Sequence, residues 1–177
     1  MPTLTGSFWR DANRVPLTVD GLTVTKSTTL TGSNATVVTP IFTVTGVVEI
    51  RAMYGVVTTA LGTAHTVAAY RLNDQTAQVD ITAVGGTTLS SFAAGSMFLK
   101  RGLAATAVVA VNNSAGRAND PTAASLQLFS PIILTKKTGA LTQIEYVYAT
   151  TETPTSGVIQ HFIRYIPLSI DGALTAT

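Results

Sequence analysis

Chemistry-bearing side chains are few in this sequence of 177 residues. Its two histidines are His65 and His161, and an imidazole titrates close enough to neutrality to serve as a general base, a proton relay or a metal ligand. Such a role needs a nucleophile or carboxylate within hydrogen-bonding reach. His65 opens the stretch His-Thr-Val-Ala-Ala-Tyr, and His161 lies inside Val-Ile-Gln-His-Phe-Ile-Arg-Tyr. Both stretches carry strand-like apolar residues, so each ring is expected as a hydrogen-bonded strand histidine rather than a base or a ligand. Asp74 and Asp80 are near enough in sequence to be weighed as the carboxylate pair of a glycoside hydrolase. Asn73-Asp74-Gln75 has the composition of a turn, however, and Asp80 alternates with Val79 and Ile81. A turn former and a solvent-facing strand residue are the expectation.

The remaining motifs point the same way. The chain contains no G-x-S-x-G elbow, G-x-G-x-x-G fingerprint, G-x-x-x-x-G-K-[ST] loop or H-E-x-x-H pair, whose spacings carry the commonest hydrolase, dinucleotide, nucleotide and zinc-protease chemistry. There are no cysteines, which excludes a disulfide framework and a Cys-ligated zinc. Asn73-Asp74 lacks the oxygen spacing of an EF-hand loop. The expectation is a protein that is not an enzyme and has no catalytic residues, no cofactor and no metal. The tripeptides Asn34-Ala35-Thr36 and Asn112-Asn113-Ser114 match the glycosylation pattern, but the start of the chain lacks the basic-then-apolar layout of a secretory signal. Synthesis and assembly in the cytosol are expected.

Charge narrows the partners. Eleven basic and nine acidic residues leave a net charge of +2, and the adjacent basic pairs Lys100-Arg101 and Lys136-Lys137 read as solvated ends of strands or turns. Phosphate-backbone binding rests on several Lys or Arg along one face, so no nucleic acid is expected. The uncharged stretch from Ala52 to Tyr70 is broken by Gly55, Gly62 and His65, which predicts strand, turn and strand rather than a membrane span. Only 11% of residues are charged, against roughly 25% in ordinary soluble domains. A surface so rich in Thr, Ser, Gly, Asn and Ala is inexpensive to desolvate, which suits an oligomer or a docking protein.

The elements that must position these residues are strands, because the dominant apolar period is two. Strands are expected at Leu22 to Leu30, Val37 to Val44, Val47 to Val57, His65 to Asn73, Gln78 to Thr82, Ala107 to Val111, Leu126 to Thr135, Gln143 to Ala149 and Val158 to Pro167. In the third of these Val48, Ile50, Ala52, Tyr54 and Val56 form the buried face, with Glu49 and Arg51 opposite. Turn signals separate them at Thr31-Gly32-Ser33-Asn34, Gly85-Gly86, Asn112 to Gly116, Lys137-Thr138-Gly139 and Thr150 to Gly157. Asp120-Pro121 could open one short helical turn through Ser125. Many short strands with such punctuation predict an all-β fold, an antiparallel β-sandwich of jelly-roll-like type, as a single domain over 17–177.

Residues 1–16 read as an extended N-terminal arm outside that sandwich. A Trp in a polar terminal segment has no strand pattern to place it in a core, and aromatic residues and Arg are enriched at interface hot spots. Phe8, Trp9 and Arg10 are therefore the expected partner-binding residues. Trp9, Tyr54, Tyr70, Tyr146, Tyr148 and Tyr165 could act as stacking platforms for a sugar, but most of them fit buried strand positions.

The run Thr-Gly-Ser-Asn-Ala-Thr-Val-Val-Thr-Pro-Ile-Phe-Thr-Val-Thr-Gly-Val-Val-Glu-Ile-Arg, with the later Gly-Val-Ile-Gln-His-Phe-Ile-Arg-Tyr-Ile-Pro-Leu, resembles small structural proteins of tailed-bacteriophage virions, above all the head decoration, or cement, proteins. The resemblance is one of style across most of the chain and transfers no binding residues. It implies a homotrimeric β-rich protein on the capsid exterior that binds the major capsid protein and stabilises the phage head. A trimeric tail-fibre or receptor-binding domain recognising a host sugar or protein is the alternative.

Overall fold

The computed structural model describes residues 21–31, 35–62, 65–83, 89–100, 109–111, 131–150 and 157–177. Eleven strands run in chain order: β1 (Leu22–Thr29), β2 (Thr36–Thr45), β3 (Val47–Thr59), β4 (His65–Asn73), β5 (Gln78–Asp80), β6 (Met97–Leu99), β7 (Val109–Val111), β8 (Ile132–Thr135), β9 (Thr142–Thr150), β10 (Val158–Pro167) and β11 (Ala173–Ala176). Among the described residues there is no helix. The all-β expectation holds, and every strand pairing is antiparallel. The expected arm, the turn near Asp120 and the turn at Gly85-Gly86 lie outside the described residues.

The strands form two sheets. One has the order β1-β10-β3-β6-β7, with β8 also pairing with β3; the other has the order β11-β2-β9-β4-β5. Their inner faces share one apolar cluster, drawn from Val48, Ile50, Met53, Ile159 and Ile163 on the first sheet and Phe42, Val44, Ile144, Tyr146 and Tyr148 on the second. Ring contacts across the gap, such as Tyr70 with Phe98 at 6.1 Å, show the sheets packed face to face. Burial of such apolar faces is the main favourable term in folding.

Two strands have the limits expected of them. The strands expected at His65 to Asn73 and Val158 to Pro167 are β4 and β10 as observed. The alternation expected within β3 does not continue to its end. Val48 and Ile50 face inward, but so do Met53, Gly55 and Val57, whereas Tyr54 and Val56 are only half-buried. The cause is a register shift opposite Arg164/Tyr165: Tyr165 pairs with Ile50 and Arg164 with Ala52, leaving Arg51 as the extra residue of a bulge. A one-residue shift sends every later side chain to the opposite face.

One other expectation is corrected. β5 is not half-buried: Gln78, Val79 and Asp80 are all exposed, and Val79 retains 60% of its accessible surface because β5 is a three-residue edge strand. Ile81 just beyond it is buried. The strand expected from Leu126 is observed only over β8, with 126–130 outside the described residues. β6 and β11, of three and four residues, were not anticipated. Strands that short carry no legible alternation.

Tight geometry at the β2–β3 turn requires glycine. Gly46 has φ +53°, and a Cβ there would lie 2.3 Å from Ser169 Oγ and 2.4 Å from Asp171 Oδ1. That close approach locks the turn to the segment between β10 and β11, where Ser169 Oγ accepts from the Val47 N–H at 2.8 Å.

Candidate functional site

The two histidines come together in the interior, not at a cleft. His161 projects inward from β10 in the first sheet, and its Nδ1 is 3.0 Å from the hydroxyl of Tyr70 on β4 in the second. His65, at the start of β4, places Nε2 3.2 Å from the hydroxyl of Tyr146 on the neighbouring β9. Both imidazoles and both tyrosines are fully buried. The rings form one cluster: Tyr146 stands 4.6 Å from His161, His65 stacks on Tyr148 at 5.2 Å, and Phe98 of β6 lies 5.8 Å from Tyr146. The expectation of strand histidines with hydrogen-bonded rings is met for one nitrogen of each. His65 Nδ1 and His161 Nε2 have no partner among the described residues.

Electrostatics follow from burial. Removal from water penalises the imidazolium, which lowers His65 to about 4 and His161 to about 3. Both rings are thus neutral at neutral pH. Burial likewise raises Tyr70 and Tyr146, with each phenol also disfavoured by a neighbouring tyrosine. What this arrangement does chemically is hold a proton between a neutral imidazole and a neutral phenol, and the Tyr70–His161 bond ties one sheet to the other.

The aspartates stay in separate local roles. Asp74 Oδ1 accepts from the backbone N–H groups of Ala77 at 2.6 Å and Thr76 at 2.9 Å, and Oδ2 lies 3.3 Å from Lys137 Nζ. These bonds, that from Ala77 first, hold its carboxyl below the ordinary range. Asp74 is the turn former expected. Asp80 sits exposed on β5 opposite Arg71, also as expected. The one deeply buried carboxylate among the described residues is one that sequence reasoning passed over. Glu145, 4% exposed, accepts from Arg71 Nε at 2.5 Å and from Asn73 Nδ2 at 2.8 Å. Its signal was a Glu within an apolar strand, matched by a register that only the structure supplies.

Of the basic pairs, Lys136 is exposed and Lys137 bonds Asp74 as a turn residue, but Lys100 is not a solvated strand end. It is 2% exposed, and burial lowers its pKa. It follows β6, whose Phe98 is inside the core, and its N–H donates to Met53 O. Arg101, Asn34 and the Asn112 tripeptide are outside the described residues, as are Phe8, Trp9 and Arg10.

A surface not foreseen in the sequence lies on the outer side of the first sheet. With His161, Ile163 and Tyr165 facing in, Phe162 faces out, and the register aligns Thr25, Phe162, Tyr54 and Leu99 in one row across four strands. Tyr54 and Phe162 stack at 4.8 Å with their planes 7° apart. Val56 and Met97 form the adjacent row, and Ile133, opposite Glu49, is 63% exposed. The charges on this face are Arg164 and the Arg51–Glu49 pair at 3.1 Å. Tyr70, Tyr146, Tyr148 and Tyr165 are buried, so Tyr54 alone among the described tyrosines reaches an outer face, and Phe162 covers one side of its ring.

No protein-family model, no curated protein and no solved structure matches this chain.

Proposed function

We propose that this protein is a non-catalytic structural component of a virion, a decoration protein that associates as a homotrimer and binds the major capsid protein on the outer face of a phage head. The observation that carries this reading is the row Phe162–Tyr54–Leu99 on the outer sheet face, apolar and aromatic at its centre with arginines at its margin. Desolvated aromatic centres with polar rims are the anatomy of protein–protein interfaces. The low charge of the chain and the inward placement of both histidines support the same reading. A jelly-roll-like winding of the strands and an N-terminal arm at 1–16 carrying Phe8, Trp9 and Arg10 to a neighbouring molecule belong to it.

The action would be mechanical. Three attachments per trimer raise avidity far beyond that of a single weak site, so shell expansion or rupture must break several contacts together. The test is direct: light scattering of the purified protein should give a trimer mass, and electron microscopy should show added density on undecorated heads mixed with it. Phe162→Glu should leave the circular dichroism unchanged and abolish either the trimer or the head binding. A folded monomer with no affinity for heads would sink the proposal.

A further inference from the structure

We propose that the buried His161–Tyr70 and His65–Tyr146 pairs form an acid-sensitive latch: neutral imidazoles let the sheets close on one another, and their protonation opens the sandwich as a unit. This goes beyond the virion reading and does not depend on it. The geometry leaves an incoming proton nowhere favourable to sit. A neutral imidazole has one N–H and one lone pair, and each ring here has one nitrogen bonded to a phenol and the other without a partner among the described residues. Whichever tautomer the neutral ring adopts, the protonated ring would carry an N–H on both nitrogens with an acceptor for only one among the described residues, and a charge would sit in an apolar core.

Among the described residues, nothing facing the rings offers compensation. His161 meets Tyr70 from β4, Tyr146 from β9 and Phe98 from β6. On β1 its cross-strand neighbour is Lys26, a cation whose Nζ donates to the Thr177 carbonyl. On β3 its neighbour is Gly55. Lys100, two residues beyond Phe98, is itself buried. His65 is faced by Tyr146 and Tyr148 from β9, and Leu89 donates to its carbonyl. The buried carboxylate Glu145 alternates with the inward-facing Ile144 and Tyr146, so it lies on the other side of its sheet, bound to Arg71 and Asn73. The positions of the two rings make the effect global. One bonds across the sheets and the other within the second sheet, and both touch Tyr146.

The sign follows from linkage. An unfolded histidine titrates at about 6.5, and the folded rings resist protonation, so the stability they confer is complete above that pH and is lost as pH falls below it. Each unit of pH below about 6.5 lowers the folding constant about tenfold per histidine, hence about a hundredfold for the two. Between pH 8 and pH 5 the loss is about a thousandfold. Ordinary carboxylates, titrating near 4, contribute little in that window.

The test is urea unfolding of the full chain from pH 8 to pH 5, followed by tyrosine fluorescence and circular dichroism. Proton uptake on unfolding should approach two at pH 5 and vanish at pH 8. His65→Gln with His161→Gln should abolish most of that uptake while retaining the fold. Should the double variant fail to fold, the wild-type protein still decides the matter by nuclear magnetic resonance, where both imidazoles should remain neutral in the native state at pH 5. Uptake below one proton at pH 5, a native imidazole titrating near 6.5, or unchanged pH dependence in a folded double variant would each overturn the latch.

Discussion

Gly55 should not tolerate a single added methyl group. It sits on β3 across from Phe98, and a Cβ at this position would lie 2.3 Å from Phe98 Cζ and 2.6 Å from Cε1. Carbon atoms pack best at roughly 3.5–4.0 Å, so the ring must retreat by more than about 1 Å. It has no room to do so, because Phe98 is fully buried, with Tyr146 at 5.8 Å, Tyr70 at 6.1 Å and His161 at 6.3 Å. Overpacking of this kind costs about 1–3 kcal/mol. Against it stands the gain of Ala over Gly in a strand, about 0.5–1 kcal/mol. The overlap is large, so Gly55→Ala should destabilise the fold by about 1–2 kcal/mol net. Urea denaturation at pH 7.5 should show a lower midpoint with an unchanged slope. Phe98→Leu, which clears the far end of the ring, should cost less in the Gly55→Ala background than alone, with a coupling of at least about 0.5 kcal/mol. A neutral or stabilising Gly55→Ala, or strict additivity with Phe98→Leu, would refute the account of this contact.

Arg71→Met should destabilise by about 3 kcal/mol, since it strands the Glu145 carboxylate in a buried site, and Arg71→Met combined with Glu145→Gln should recover much of that loss on denaturation. Tyr70→Phe removes the hydroxyl that bonds His161 and should cost about 1–2 kcal/mol at pH 7.5, with the near-ultraviolet dichroism altered more than the far-ultraviolet. Deleting residues 1–16 should leave a folded domain with a smaller assembly mass and weaker head binding. Unchanged values for both would show the arm to be dispensable, and a collapsed fold would mark Trp9 as a core residue.

The legible part of this fold is the part whose information is local. β10 could be bounded from the sequence because its faces alternate from Val158 to Ile166, and β4 because its apolar run closes on the turn formers Asn73-Asp74. β11, with Ala173, Leu174, Thr175 and Ala176, is too short to alternate and exists because β2 offers an edge for it. β9 shows a different limit. Gln143 and Glu145 look like the wet face of a half-exposed strand, yet both are buried, Glu145 under a salt bridge with a residue 74 positions away. The histidines were found as strand residues, but their meaning depends on partners 81 and 91 positions distant. No spacing rule reaches that far.

The bulge at Arg51 links these features. Without it, Tyr54 and Val56 would continue the inward face begun by Val48 and Ile50, and Gly55 would point to solvent. With it, Gly55 turns inward and opens the notch that Phe98 fills, which brings Phe98 to within 6.3 Å of His161. The same half-turn sends Tyr54 outward to stack on Phe162 and complete the apolar outer row. The sealed histidine core and the aromatic outer face are therefore alternate sides of one register choice. Residue polarity could not have announced it, since Ala52, Met53, Tyr54, Val56 and Val57 are all apolar enough to face either way. The decision rests on shape: at the inward position opposite Phe98 only the residue without a side chain fits, and that places the tyrosine beside it on the outside.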